Sequence, residues 1–264
     1  MLLQREIKKV YLGSTQVRPA VPITTAWIYH NADLWLISLS SDWTTRTTIA
    51  DKNLWASQVY DWTSNVTQAN GGNYFQRWNN YKFNWYDWAN PTTSTLQITN
   101  ASTYWPWNYY SDSVFRTITY SPYDWASPKN DNLRWWTTGT AAAMKWPCPD
   151  GFHIPSSTEL TNLINIWISL WAWTASNGTW MINYLKFPAT WYRAYNSWSV
   201  TGNANTKLFR VRSSSVSGTN WMYLVWATNV ATVYSNGYRS MGYVIRPFKN
   251  EAVQPDSDWT VIYQ

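Results

Sequence analysis

Residues 146–160, WPCPDGFHIPSSTEL, hold the only cysteine of the chain, Cys148, one of its two histidines, His153, and Asp150 between them. A thiol and an imidazole five positions apart could make a nucleophile with its base, or start a metal site. Each chemistry needs further groups: an orienting partner for the imidazole, or more ligands. No third group is evident here, and a single cysteine excludes an intrachain disulfide and any cysteine-based zinc cage. The stretch therefore reads as scaffold. Cys148 is expected to be a buried free thiol and His30 an ordinary lone histidine, with no catalytic residue, metal or cofactor.

The same residues contain the clearest helix start. Ser156 and Glu159 have the S-x-x-E spacing of a capping box, in which the hydroxyl accepts from the N–H three residues on and the carboxylate reaches back. Leu160, Leu163, Ile164, Ile166 and Trp167 follow at near-helical spacing behind Pro155, which predicts an amphipathic helix from 157 to about 168. Elsewhere the apolar clusters are short. LWLISLS, STLQITN, MINYLKFPATWYR, TKLFRVRSSS, WMYLVWAT and GYVIRPF read as strands between Ser, Asn, Gly and Pro. The expected class is α+β, with irregular short antiparallel strands, long loops and one or two helices. In LFRVRS, alternation puts Phe209 and Val211 on one face and Arg210 and Arg212 on the other, and the arginine face is expected to be exposed.

Residues 1–20, with KKVYLGSTQV at their centre, read as an attachment segment, 21–250 as the main domain and 251–264 as a C-terminal tail. The net charge is +6, yet charged residues make up 13% and the only adjacent basic pair is Lys8-Lys9, so a nucleic-acid partner is not expected. No signal peptide is evident, and no apolar run approaches the ~20 residues that span a bilayer, so membrane insertion is not expected either. Aromatic content is unusual: 23 Trp and 19 Tyr stand beside 10 Gly, where average usage of about 7% would give roughly 18. Asp-Trp occurs at 42–43, 61–62, 87–88, 124–125 and 258–259, in turn-like surroundings where Asp-Gly is the favoured pair. Two explanations compete: an aromatic binding surface, or UGA codons that the source reads as glycine and that are rendered here as tryptophan. An aromatic forced into a left-handed turn costs roughly 1–2 kcal/mol.

The order CPDGFHIPSSTEL, LKFPATWYR, RVRSSSVSGTNWMYLVW and RSMGYVIRPF, with ADKNLWASQVY earlier, resembles the Fibrobacter-type paralogous domain, a bacterial family with the C-type lectin fold. The matches run in order over roughly residues 45 to 248. The resemblance implies a C-type lectin-like domain. It departs at the end, where Ile245-Arg246-Pro247 replaces the family's Val-Arg-Cys and leaves Cys148 without a partner thiol. The formylglycine-generating enzymes share this kind of fold but use a cysteine pair, so an enzyme is not expected. Animal lectins hold calcium with a Glu-Pro-Asn or Gln-Pro-Asp loop and a Trp-Asn-Asp strand; neither is read as a calcium site here, so calcium-dependent sugar binding is not expected. Against the family pattern, Trp191 stands where glycine is usual, and Trp43, Trp62, Trp135, Trp136, Trp146 and Trp198 also fall at glycine-like places, whereas Trp125 and Trp226 read as true aromatics.

The RPF ending is similar to that of variable proteins of diversity-generating retroelements, found in phage tails and small uncultured bacteria. The resemblance implies a variable region over 191–246. Its framework would be Arg193, Ser213 to Ser215, Leu224, Arg239, Gly242, Val244 and Arg246. Ligand contacts would come from Ala194, Lys207, Arg210, Arg212, Val225, Ala227, Val230, Thr232, Tyr234, Asn236 and Tyr238. The implied function is non-enzymatic recognition of a macromolecular ligand, a cell-surface protein or glycan, by copies carried on a virion or cell surface. The alternative is a carbohydrate-binding module whose platforms include Trp226, Tyr234 and Tyr238.

Overall fold

A computed structural model describes residues 10–12, 15–17, 27–41, 46–61, 66–76, 79, 81–84, 92–99, 113–121, 123–127, 147–171, 184–197, 199–201, 209–217, 220–227 and 230–263. The elements in chain order are β1 (Val10–Leu12), β2 (Thr15–Val17), β3 (Trp27–Asn31), β4 (Leu36–Ser40), β5 (Arg46–Ala50), the single turn α1 (Gln68–Gly71), β6 (Asn73–Gln76) and β7 (Phe83–Asn84). Next come β8 (Thr93–Ser94), β9 (Phe115–Arg116), β10 (Phe152–His153), α2 (Ser157–Trp171), β11 (Tyr192–Arg193) and β12 (Val200–Thr201). The last are β13 (Phe209–Ser217), β14 (Asn220–Ala227), β15 (Val230–Gly237), β16 (Gly242–Tyr243), β17 (Phe248–Lys249) and β18 (Thr260–Tyr263). Strands in several sheets, almost all antiparallel, and two helices agree with the expected class at that level.

A six-stranded antiparallel sheet, in the order β10-β17-β5-β4-β3-β18, forms the base. Alternation along β3 sends Ile28 to one side and Trp27 and Tyr29 to the other. Ile28, Ile37, Leu39, Ile49 and Phe248 meet Leu160, Leu163, Ile164 and Ile166 of α2 and Phe209, Val211, Leu224 and Trp226 of β13–β14 in one core. Each such side chain contributes roughly 1.5–3 kcal/mol by leaving water. Trp27 and Tyr29 pack with Leu36 and Trp259 on the opposite side. Of the expected tail, residues 251–263 are therefore packed into the fold. Val253 and Trp259 pack against that second cluster, and β18 closes the sheet against β3. The chain's short polar ending hid a strand that its pairing partner, over 200 positions away, defines. The lead segment forms the hairpin β1–β2.

Helix α2 begins where the capping box predicts and runs to Trp171, about one turn past the expected end. The Ser156 N–H donates to Glu159 Oε2 at 2.7 Å and the Glu159 N–H donates to Ser156 Oγ at 3.2 Å. His153 completes the joint. Its Nε2 donates to Glu159 Oε1 at 2.8 Å, since a carboxylate can only accept, and its Nδ1 lies 2.9 Å from Asn250 Oδ1. Ser157 N–H donates to Ser215 Oγ at 2.9 Å, which ties the helix start to β13.

The tryptophans divide. Trp125 and Trp226 are buried, as true aromatics should be, and so is Trp259, which follows Asp258. Trp191 keeps an ordinary backbone rather than the left-handed conformation its glycine-like position suggested. Trp43, Trp62, Trp88, Trp135, Trp136, Trp146 and Trp198 lie outside the described residues, as does the side chain of Trp167.

Glu159 generates an acid-stability prediction. Burial alone would raise its carboxyl pKa, but the hydrogen bonds from His153 and Ser156 outweigh burial and hold it below the ordinary value. A depressed folded-state pKa contributes stability that is present above the unfolded value of about 4.3 and is lost as pH falls through the folded value. E159Q is expected to lower stability by about 1–2 kcal/mol at neutral pH. It should also flatten the acid limb of a urea-unfolding series against pH.

Candidate functional site

The three-stranded sheet β13-β14-β15 has one face in the main core and one turned away from it. Phe209, Val211, Leu224 and Trp226 point inward, with Phe209 and Trp226 stacked at 6.1 Å and 9°. The register then sets the other face. Arg210 pairs with Val225 and Val225 with Thr232; Arg212 pairs with Tyr223 and Tyr223 with Tyr234. Bulges between Arg212 and Val216 and between Trp221 and Tyr223 interrupt the ladder at its far end.

Two residues from other strands roof this face, Tyr192 of β11 and Tyr243 of β16. The result is a column of four rings. Tyr192 stacks on Tyr243 at 6.0 Å, Tyr243 on Tyr223 at 5.1 Å, and Tyr223 on Tyr234 at 6.0 Å, with interplanar angles of 26°, 21° and 25°. Gly237 makes room for it, because a Cβ there would lie 2.9 Å from Tyr223 Cδ1. Tyr223 also donates its hydroxyl to Asn236 Oδ1 at 2.8 Å. The Arg210 guanidinium sits 4.0 Å from the Tyr192 ring centre and 5.4 Å from that of Tyr223. Burial raises the Tyr223 pKa despite Arg210, and raises that of Tyr243 much further, so both hydroxyls stay neutral donors at physiological pH.

A second aromatic group comes from neighbouring segments. Tyr238 lies 4.3 Å from Tyr123 and 4.4 Å from Tyr195, and Tyr123 lies 5.5 Å from Tyr195, all between ring centres. The residues beside two of these rings hold the group together. Arg239 donates to Asp124 Oδ2 at 3.1 Å in a fully buried ion pair, and the Ser240 N–H donates to the Tyr123 carbonyl at 3.0 Å.

The expected contact residues separate accordingly. Tyr234 and Asn236 are exposed; Arg210, Thr232 and Tyr238 are half-buried beside the two aromatic groups. Arg212 is a correction: it is sealed, not exposed, and its NH1 donates toward the Phe75 carbonyl at 3.4 Å. Alternation put it on the right face, but Tyr243 covers that face. Burial pulls its pKa down to about 9, and Tyr243 and Cys148 partly offset the fall. Ala194 and Val225 are likewise buried and offer almost no surface. Lys207 and the side chains of Ala227 and Val230 lie outside the described residues. By contrast, Arg193, Ser213, Ser214, Leu224, Arg239, Val244 and Arg246, all read as framework, are buried.

Sequence reasoning missed Tyr123, Tyr192, Tyr195, Tyr223 and Tyr243. Tyr192, Tyr195, Tyr223 and Tyr243 lie within 191–246, where a count of tyrosines on short strands was the available signal. Tyr123 had none. Cys148 is buried with Leu54, Phe75, Ile154 and Ile245, which pushes its thiol pKa far up, while both His153 nitrogens face other partners. Sequence reasoning also passed over Gln254-Pro255-Asp256, which matches the triplet of some lectin calcium loops. However, the Gln254 amide oxygen accepts from Arg46 and Asp256 Oδ1 accepts from the Asp258 N–H. Among the described residues, no group of three or more His, Cys, Asp or Glu could hold a metal, and no helix is long and apolar enough to cross a membrane.

Breaking the buried ion pair tests what holds the tyrosine group. D124N leaves the Arg239 guanidinium buried without its counter-charge and is expected to lower stability by about 3–5 kcal/mol in urea unfolding. Y238A removes a half-buried ring and is expected to lower it by about 1 kcal/mol. No protein-family model matches the chain, and neither does any curated protein or solved structure.

Proposed function

We propose that the chain is a non-enzymatic ligand-binding protein with a C-type lectin-like scaffold, of the kind that diversity-generating retroelements vary. One observation carries the proposal. Within 191–246, the framework residues Arg193, Ser213, Ser214, Leu224, Arg239, Gly242, Val244 and Arg246 are buried, whereas five expected contacts, Arg210, Thr232, Tyr234, Asn236 and Tyr238, are half-buried or exposed beside the tyrosines, although Ala194, Arg212 and Val225 are not. Tyrosine and arginine suit such a face: large contact area and several donors at low entropic cost. Residues 1–20 would attach the module to a virion or a cell surface, and avidity from several copies would strengthen weak single sites.

The ligand in this proposal is a protein rather than a glycan. A sugar platform needs an open ring face, but the column rings cover one another except at its two ends, Tyr192 and Tyr234. Trp226, a candidate platform in the alternative, is buried under Phe209.

Two measurements test the proposal. A glycan array probed with the chain is expected to stay blank; signal that Y234A or Y238A abolishes would transfer the face to carbohydrate recognition. Beside the source gene, a reverse transcriptase and a near-copy of codons 191–246 are expected, with differences confined to adenine positions of the copy. A locus lacking both would remove the retroelement part of the proposal.

A further inference from the structure

We infer that Arg210 is the anchor of this face and that it takes a carboxylate from a protein partner; the inference rests on reading the face as a ligand-binding surface. A guanidinium carries five N–H donors, and buried ones are normally spent on oxygen. Arg246 donates to Asn53 Oδ1, the Ala50 carbonyl and the Lys186 carbonyl. Arg239 has Asp124, and Arg193 and Arg212 donate to the carbonyls of Asn84 and Phe75. Arg210 differs. Among the described residues its side-chain partners are the rings of Tyr192 and Tyr223 and the Tyr243 hydroxyl, rather than a carbonyl, amide or carboxylate oxygen. No carboxylate among the described residues lies within ion-pair distance of it.

Stacking uses the planar faces of a guanidinium and leaves its N–H edge available. The tyrosines thus fix the plane of a half-buried cation that has no acid among the described residues. A carboxylate matches that fork with two parallel hydrogen bonds. An acidic side chain fits better than a sugar acid, because the covered ring faces leave little platform for a pyranose.

The test is selection of a displayed random-peptide library on the whole chain, followed by titration of the winners. Peptides whose binding Y234A weakens should be enriched in Asp or Glu. Replacing that acid by its amide should weaken binding about tenfold or more, and R210Q should do the same without adding to the amide change. R210K keeps the charge without the fork and should fall between. Thermal unfolding of R210Q and R210K checks that both fold. Peptides that depend on Tyr234 but lack acids and tolerate R210Q would overturn the Arg210 assignment alone. A library that yields no binder to this face would overturn the ligand-binding reading along with it.

A second inference rests on backbone geometry. Trp35 and Trp55 have φ of 56° and 64°. Trp35 ends the loop between β3 and β4, just before the Asn31–Leu36 pair. Trp55 is the third residue of a turn closed by the Ala56 N–H on the Asn53 carbonyl at 3.0 Å, and Leu54 is not left-handed. A turn with positive φ only at its third residue is type II, which calls for glycine there. Both rings are more than half exposed, against the ammonium groups of Lys52 and Lys82. We propose that both positions are glycine in the protein as its source makes it, through UGA codons read as glycine.

Peptide masses of the protein from its source should show glycine at 35 and 55, over UGA codons; tryptophan masses or UGG codons at both sites would refute this. In the chain with tryptophan at both sites, W35G and W55G should each favour folding about tenfold more than W35A and W55A, because alanine keeps the Cβ that strains a left-handed residue. Equal stability of glycine and alanine variants would count equally against it.

Discussion

Backbone that does not form sheet or helix still needs hydrogen-bond partners once it is buried, and this constraint governs the interior here. Several strands are only two residues long, so much of the chain between them enters the core without a ladder. Arginine meets the need because one side chain carries five donors on a long stem. Arg246 alone joins the end of β5, Asn53 in the following turn and Lys186 far along the chain, and its guanidinium lies 4.1 Å from the Phe187 ring centre. Burial draws its pKa down to about 9, with Asp51 acting the other way, which leaves it a cation at neutral pH.

The same device reaches the outer face. Arg239 and Asp124 are buried next to Tyr238 and Tyr123, so the ion pair, with the Ser240 N–H on the Tyr123 carbonyl, sets the distance between two rings on separate segments. Arg193 crosses from β11 to the carbonyl of Asn84 in β7, which fixes the strand that carries Tyr192. The surface therefore inherits its geometry from below. Strand pairing and the arginine tethers carry the scaffold, so Tyr234 and Asn236 can differ at the cost of the stacking and the hydrogen bond that they give Tyr223.

Local chemistry was legible in the sequence. Ser156 and Glu159 announced the helix, and the apolar and polar alternation at 209–212 set the inward face correctly. What failed was the inference from face to solvent. Arg212 is buried because Tyr243, on a strand of a different sheet, lies over it, and no local period reports that. The tyrosine column was illegible for the same reason: its four rings come from β11, β14, β15 and β16. The last strand was missed because TVIY becomes a strand only when β3 offers it an edge.

Arg210 and Arg212 show how far position along one strand decides a residue's work. They are two residues apart and point to the same side of β13. Arg212, deeper, meets a main-chain carbonyl and takes part in holding the sheets together. Arg210, nearer the rim, meets rings instead, and rings orient a cation without neutralising it. A structural arginine spends its donors on oxygens inside the protein, as Arg212 does on the Phe75 carbonyl; one held flat between rings, with no acid among the described residues, is the one proposed to meet a ligand. The difference follows from which neighbours the register supplies, so a face of this kind can change its outer residues while the positions beneath them stay fixed.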